Sequence, residues 1–161
     1  MNVEKIKLIT SKFNDKVEFN KEENVLLIKD IASWFDIAKF LKNEKKLFFD
    51  YLMCITSYDT GDSVNFGLAY NFHSMKLNHT LEVRIEFSDG TEIKSIESLW
   101  KAADWHEREA FDMMGIVIVD HPDMKRILLP EDWEGYPLRK DYKTPDYYNG
   151  MPVPKDKSYW E

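Results

Sequence analysis

Proline is absent from the first 121 residues of this 161-residue chain and then occurs six times in the last 40, as Pro122, Pro130, Pro137, Pro145, Pro152 and Pro154. Proline fixes φ, removes a backbone donor and biases its predecessor to extended geometry, so residues 122–161 exclude long helices and central strands. The chain therefore divides into a body, 1–121, and an extended arm, 122–161. The arm is not a solvated linker: Ile127, Leu128, Leu129, Trp133, Tyr136, Leu138, Tyr142, Tyr147, Tyr148, Tyr159 and Trp160 give it more apolar surface than such a linker tolerates. Extended aromatic segments lie along another surface, because aromatics give large contact area for few lost rotamers. That surface is either a partner or the chain's own sheet, and a split near Pro137 satisfies both.

The body shows two hydrophobic periods. Val3, Ile6, Ile9 and Phe13 recur at helical spacing, short strands follow at 17–19 and 25–28, and Trp34, Phe35, Ala38 and Leu41 mark a helix over about 34–44. Ser33 with Asp36 three residues on has the form of a capping box. The period then falls to two. Residues 47–55 form an apolar run suited to a strand, Val64, Phe66, Leu68, Tyr70 and Phe72 alternate with smaller residues, and Leu81, Val83, Ile85 and Phe87 alternate with Glu82, Arg84 and Glu86. Such alternation, with short connections, predicts antiparallel strands with one wet face. Ser88-Asp89-Gly90-Thr91 supplies turn chemistry for a further hairpin into Glu92–Ile93. A third helix is expected over about 97–114, broken near Asp104 and capped by Gly115, with a short strand at 117–119. The fold class is α+β, helices packed on a mostly antiparallel sheet and followed by the arm.

Composition removes several functions. A formal net charge of −7, from 22 basic and 29 acidic residues, argues against a nucleic-acid partner. A single cysteine, Cys54, excludes an internal disulfide and a cluster held by four thiolates of this chain. No apolar run reaches the roughly 20 residues that span a bilayer, and the N-terminus lacks a secretory leader's apolar core, so a cytosolic chain or one on the cytosolic face of a complex is expected.

Catalytic patterns also fail. His106-Glu107 begins like HExxH, but Ala110 stands where the second histidine is required. Glu109 and Asp112, three apart on a helix, suit acid–base or metal work as a pair but read more simply as solvated or ion-paired charges. His121 precedes Pro122 and reads as a packed or turn residue, and His73, His79 and His106 lack ligand spacing. No glycine pattern cradles a nucleotide phosphate, and Cys54, in a strand expected to be buried, has no basic activator nearby in sequence. Glu107 stands apart. It falls within the helical stripe of Trp100, Ala103, Ala110, Phe111 and Met114, so a buried carboxylate paired with Arg126 or Arg139 is expected, Arg108 being too far round the helix.

These residues resemble a known family. Glu107-Arg108-Glu109, then Asp112 and Gly115, then His121-Pro122 and Arg126 before Ile127-Leu128, follow the pattern of the C-type subunit of NADH-quinone oxidoreductase, respiratory complex I. Pro130, Asp132-Trp133, Gly135 and Pro137-Leu138-Arg139-Lys140-Asp141-Tyr142 continue it, so the resemblance covers about 103–142. Met113-Met114 depart from the leucine or aromatic expected there, a change that fills the same apolar space.

The resemblance implies a non-catalytic structural and assembly subunit of the peripheral arm of a proton-translocating enzyme. Such a subunit docks against D-type, B-type and I-type subunits near the quinone site, on the cytoplasmic face of the inner membrane. It implies no catalytic, cofactor or metal residue in this chain, the NADH, FMN, iron–sulfur clusters and quinone belonging to the complex, and membrane association only through that complex. The related alternative is the equivalent subunit of a membrane-bound hydrogenase, formate hydrogenlyase or ferredoxin- or F420-dependent dehydrogenase. A different class, an independent enzyme using Glu107, Glu109, Asp112 and His121, predicts turnover or bound metal in the isolated chain.

Overall fold

Helical and extended segments follow the two hydrophobic periods closely in a computed structural model that describes residues 3–62 and 64–153. Helix α1 spans Val3–Phe13 and buries Ile9. Strands β1, Val17–Asn20, and β2, Val25–Ile28, pair antiparallel, and α2, Trp34–Asn43, buries Trp34, Ile37, Ala38 and Leu41 at i, i+3, i+4 and i+7. Strands β3, Tyr51–Asp59, β4, Asn65–Ser74, and β5, His79–Ser88, complete a five-stranded sheet of order β1-β2-β5-β4-β3. The register pairs Leu68 with Ile85, Tyr70 with Val83 and Phe72 with Leu81, which gathers the alternating apolar residues on one face. That face meets the helical side: Trp34 packs on Tyr70 with ring centroids 4.5 Å apart, and Phe72 on Trp100 at 4.8 Å. The class is α+β as expected. One pair, β2 with β5, is parallel, because β2 reaches β5 only after α2, β3 and β4 have been traversed.

Four local expectations are corrected. The Ser88–Thr91 turn forms, but no hairpin follows. Strand β6, Ile93–Lys94, pairs in parallel with β7, Ile118–Val119, because β5 already has β2 and β4 on its two edges. Ser33 makes no capping bond. It is already helical at the end of a 3-10 turn, and its hydroxyl donates to Asp30 Oδ2 at 2.5 Å and accepts Lys16 Nζ. Residues 47–50 are not strand. Phe49 N–H donates to Leu41 O and Phe48 takes φ +43°, so the segment folds back on α2, and β3 begins at Tyr51. A bulge at Met53 sets Cys54 opposite Asn71, and Cys54 is half-buried rather than buried.

Helix α3 spans Ala103–Met114, and residues 97–102 ahead of it form turns instead of the expected extra helix. Gly115 ends it at φ +69°, with its N–H on Phe111 O, as its position predicts. Among the described residues the arm holds turns and one small hairpin, β8, Tyr147–Tyr148, with β9, Met151–Pro152, about Asn149 and Gly150, both with positive φ. Pro154, Tyr159 and Trp160 lie outside the described residues. Among the described residues no helix is long and apolar enough to cross a membrane.

Candidate functional site

Helix α3 buries three charged side chains, Glu107, Arg108 and Asp112, each at most 7% exposed. A buried charge costs several kcal/mol unless paired or hydrogen-bonded, so their partners define what this region does. Glu107 holds the segment just before α3, and Arg108 and Asp112 hold the segments that follow it.

Glu107 is buried, as its place on the apolar stripe predicts, but its partner is not an arginine. Its Oε2 accepts the Ser95 hydroxyl at 2.5 Å and its Oε1 the Ile96 N–H at 2.8 Å, which fastens the segment between β6 and α3. Arg126 goes instead to Asp112, and Arg139 to the Met114 carbonyl at the end of α3 and to Asp89. Burial pushes the Glu107 carboxyl up to about 7, against the pull of the Ser95 and Ile96 hydrogen bonds.

Asp112 gathers the arm. Its Oδ2 accepts three consecutive backbone N–H groups, those of Ile127, Leu128 and Leu129, at 3.0, 2.7 and 3.0 Å. Its Oδ1 takes Arg126 Nη1 at 3.2 Å. Burial opposes ionisation here, yet the backbone donors of Leu128, Leu129 and Ile127, with Arg126, outweigh it and hold the carboxyl below its ordinary value. Asp112 is thus ion-paired but not solvated, while Glu109, its partner in the expected acid pair, is exposed. Arg108 donates to Lys125 O at 3.3 Å and lies over Trp105, 5.1 Å from the ring centroid.

Further along, Leu138 N–H donates to Met113 O, and Arg139 binds Met114 O at 2.7 Å through Nε. Arg139 also grips Asp89 with both terminal nitrogens, at 2.8 and 2.9 Å, with its guanidinium between the Phe66 and Tyr136 rings. Hydrogen bonding to Arg139 lowers the Asp89 carboxyl below its ordinary value. Lys140 N–H reaches Asp59 at the end of β3. Gly115 meets the Tyr136 ring, which a Cβ would approach to 2.4 Å.

The remaining residues of the pattern order the arm itself. Trp133 N–H donates to Pro130 O and its ring packs on Tyr148, whose hydroxyl donates to Asp132. The Tyr142 ring fills the space above Gly135, and Tyr142 N–H donates to Arg139 O. Pro137 is half-buried; Pro122, Pro130 and Asp141 are exposed. His121 is a packed turn residue, its ring fully buried. Sequence reasoning missed Ser95, Asp89 and Asp59 as anchors. Asp89 was visible only as a turn residue, and nothing local singled out the other two.

Chemically, Glu107 and Asp112 face donors that already occupy them. Among the described residues no group of three or more His, Cys, Asp or Glu side chains could hold a metal ion. A cavity of about 390 Å³ beside α1 is lined by Lys5, Leu8, Lys45, Lys46 and Leu77, none of them from the 107–142 segment. A smaller groove of about 230 Å³ touches that segment, lined by Cys54, Thr56, His106, Glu109 and Leu138.

The family model described as the respiratory-chain NADH dehydrogenase 30 kDa subunit matches residues 29–148. This chain belongs to that family. Among relatives of the 30 kDa subunit, the C-type subunit of NADH-quinone oxidoreductase from Chloroherpeton thalassium is 43% identical over 92% of this chain and 63% of its own length. The C-type subunit from Chlorobium phaeobacteroides is 41% identical over 91% of this chain and 92% of its own. The J-type subunit of NAD(P)H-quinone oxidoreductase from Prochlorococcus marinus is 44% identical over 62% of this chain and 61% of its own. The 30 kDa fold is also found in a solved structure of the membrane-bound sulfane sulfur reductase, an archaeal respiratory membrane complex, with a TM-score of 0.72 and 22% identity over 87% of this chain and 84% of that one.

Proposed function

We propose that this chain is a non-catalytic structural and assembly subunit of the peripheral arm of a proton-translocating NADH:quinone oxidoreductase. It docks against the D-type, B-type and I-type subunits near the quinone site, on the cytoplasmic face of the inner membrane. The chain itself binds no cofactor; NADH, FMN, the iron–sulfur clusters and quinone are held by the other subunits. Body and arm divide the labour, residues 1–121 as a rigid platform and 122–161 as the interaction segment.

One observation carries this reading. The buried polar residues of the 107–142 segment are taken up by partners within the chain, while Trp105, Leu128 and Leu138 are turned outward at 62, 59 and 58% exposure, with Tyr147 and Met151 beyond them. Large apolar side chains on a rigid polar clasp are what a buried interface core needs, and an ordered backbone lowers the entropy lost on docking. The identity of 41–44% to quinone-oxidoreductase subunits supports this electron acceptor over the hydrogenase or formate hydrogenlyase alternative, which the shared fold alone does not separate.

The test is native electrophoresis of membranes from cells carrying Leu138→Glu or Trp105→Ser in the chain. Loss of the chain from the NADH-oxidising band, with an unchanged melting temperature of the purified variant, is the expected result. Normal incorporation of both variants, or stoichiometric flavin, metal or NADH oxidation by the isolated chain, would overturn the docking reading.

A further inference from the structure

His121 has a buried edge that its turn does not use. Its Nδ1 accepts the Asp123 N–H at 3.1 Å, across Pro122, whose fixed φ holds the turn. That bond leaves the neutral ring's proton on Nε2. Nε2 is buried without a hydrogen-bond partner and points between two carboxylates, 3.3 Å from Asp104 Oδ1 and 4.0 Å from Glu107 Oε2.

Charged and polar groups lie near this ring or act on the two carboxyls it points between. Helix α3 supplies Asp104, Glu107 and Arg108, whose Nη1 lies 3.9 Å from Asp104. The segment before the helix supplies Glu97, which acts on Glu107, and Ser95, which binds it; Tyr70 of β4 is electrostatically coupled to the same carboxyl. The loop itself supplies Asp123 and Lys125, paired at 2.7 Å.

A second proton has only one place to go. With Nε2 protonated it must enter at Nδ1, where the Asp123 N–H already points, and two donors then face each other. The imidazolium is attracted by Asp104 but is incompatible with the closed 121–123 turn. We propose that His121 is a proton-operated latch, in which protonation at Nδ1 opens the 121–123 turn and loosens the following loop, held by Arg108 at Lys125 and by Asp112 at 127–129. The latch stands on the loop's own geometry, independently of which subunits the arm meets.

Nuclear magnetic resonance of the full chain tests it, following the His121 ring nitrogens and exchange of the Asp123 amide from about pH 8 to about pH 5. The Nε2–H tautomer is expected at high pH. As the ring gains its second proton, Asp123 should lose protection about tenfold or more after correction for intrinsic exchange, while β4 and β5 amides keep theirs. His121→Asn keeps a side-chain acceptor for the N–H two residues on without a titrating ring, and should abolish that dependence. An Nδ1–H tautomer, a ring neutral to about pH 5, or a charged ring with Asp123 still protected would each overturn the proposal, and wild type alone decides these if the variant does not fold. Equal pH dependence in a folded His121→Asn chain would overturn it too.

Discussion

Replacing Asp112 with alanine removes one oxygen that serves three backbone donors and another that serves Arg126. Hydrogen bonds to a charged acceptor contribute about 1.5–3 kcal/mol each. Leu128 is exposed and the Arg126 side chain is 16% exposed, so water relieves part of the loss. The expected cost is about 3–5 kcal/mol, the range for breaking one side of a buried pair, against a typical domain stability of about 5–15 kcal/mol. Asp112→Asn separates the two halves of the site. Its one oxygen can still take the three N–H groups, but its amide nitrogen then faces a guanidinium, so the cost falls to about 1.5–3 kcal/mol. Adding Arg126→Met to Asp112→Asn should recover about 1–2 kcal/mol in a double-mutant cycle. Urea unfolding, read as a shift in midpoint at constant slope, measures each variant, and Glu109→Ala on the exposed face is the control. An Asp112→Ala chain within about 0.5 kcal/mol of the Glu109→Ala control would refute the clasp.

Glu107 makes stability depend on pH in a defined direction. A carboxyl raised from 4.5 to about 7 favours the folded chain most below pH 4.5, and that contribution is lost as pH rises to about 7, up to about 3 kcal/mol. The difference in unfolding free energy between wild type and Glu107→Gln should therefore change across this window, and a flat difference would contradict the burial argument. Gly115→Ala combines a left-handed backbone with a 2.4 Å approach to Tyr136 and should cost at least about 2–3 kcal/mol in a thermal melt. Arg139→Lys loses the two-pronged grip on Asp89 and the stacking between Phe66 and Tyr136, and a drop of about 1–3 kcal/mol is expected; an unchanged melt would show that the grip is solvent-screened. Truncation after Tyr142 removes the β8–β9 hairpin but, among the described residues, none of the hydrogen bonds to α3, so the body should unfold as wild type while its yield in the native complex falls.

Much of the fold was legible because its signals are local. Residues 3–13 and 34–43 carry one apolar stripe each, Leu81 to Phe87 alternate strictly, and Gly115 follows the last periodic residue, so periodicity alone placed α1, α2, β5 and the end of α3. Glu107 was recognisable as buried for the same reason, since its angular position on α3 follows from residue number. The failures share the opposite property. Ser88–Thr91 turns as its composition demands, but what the chain pairs with next depends on β5 already having two neighbours. Ser33 has a capping residue's identity, yet Asp30 and Lys16 compete for its hydroxyl.

By itself, the sequence determined where α1, α2, β5 and the end of α3 lie, that α3 must bury a carboxylate, and that the chain resembles one family along 103–142. Only the tertiary structure decided which groups neutralise that carboxylate, that Asp112 rather than Glu107 receives the arginine, and that the arm is pinned to its own body as far as Lys140. The physical reason is range: backbone period and side-chain volume act between residues a few positions apart. A buried charge, by contrast, is satisfied by whichever donors the chain's path brings within about 3 Å, and that path is set by the packing of the whole sheet.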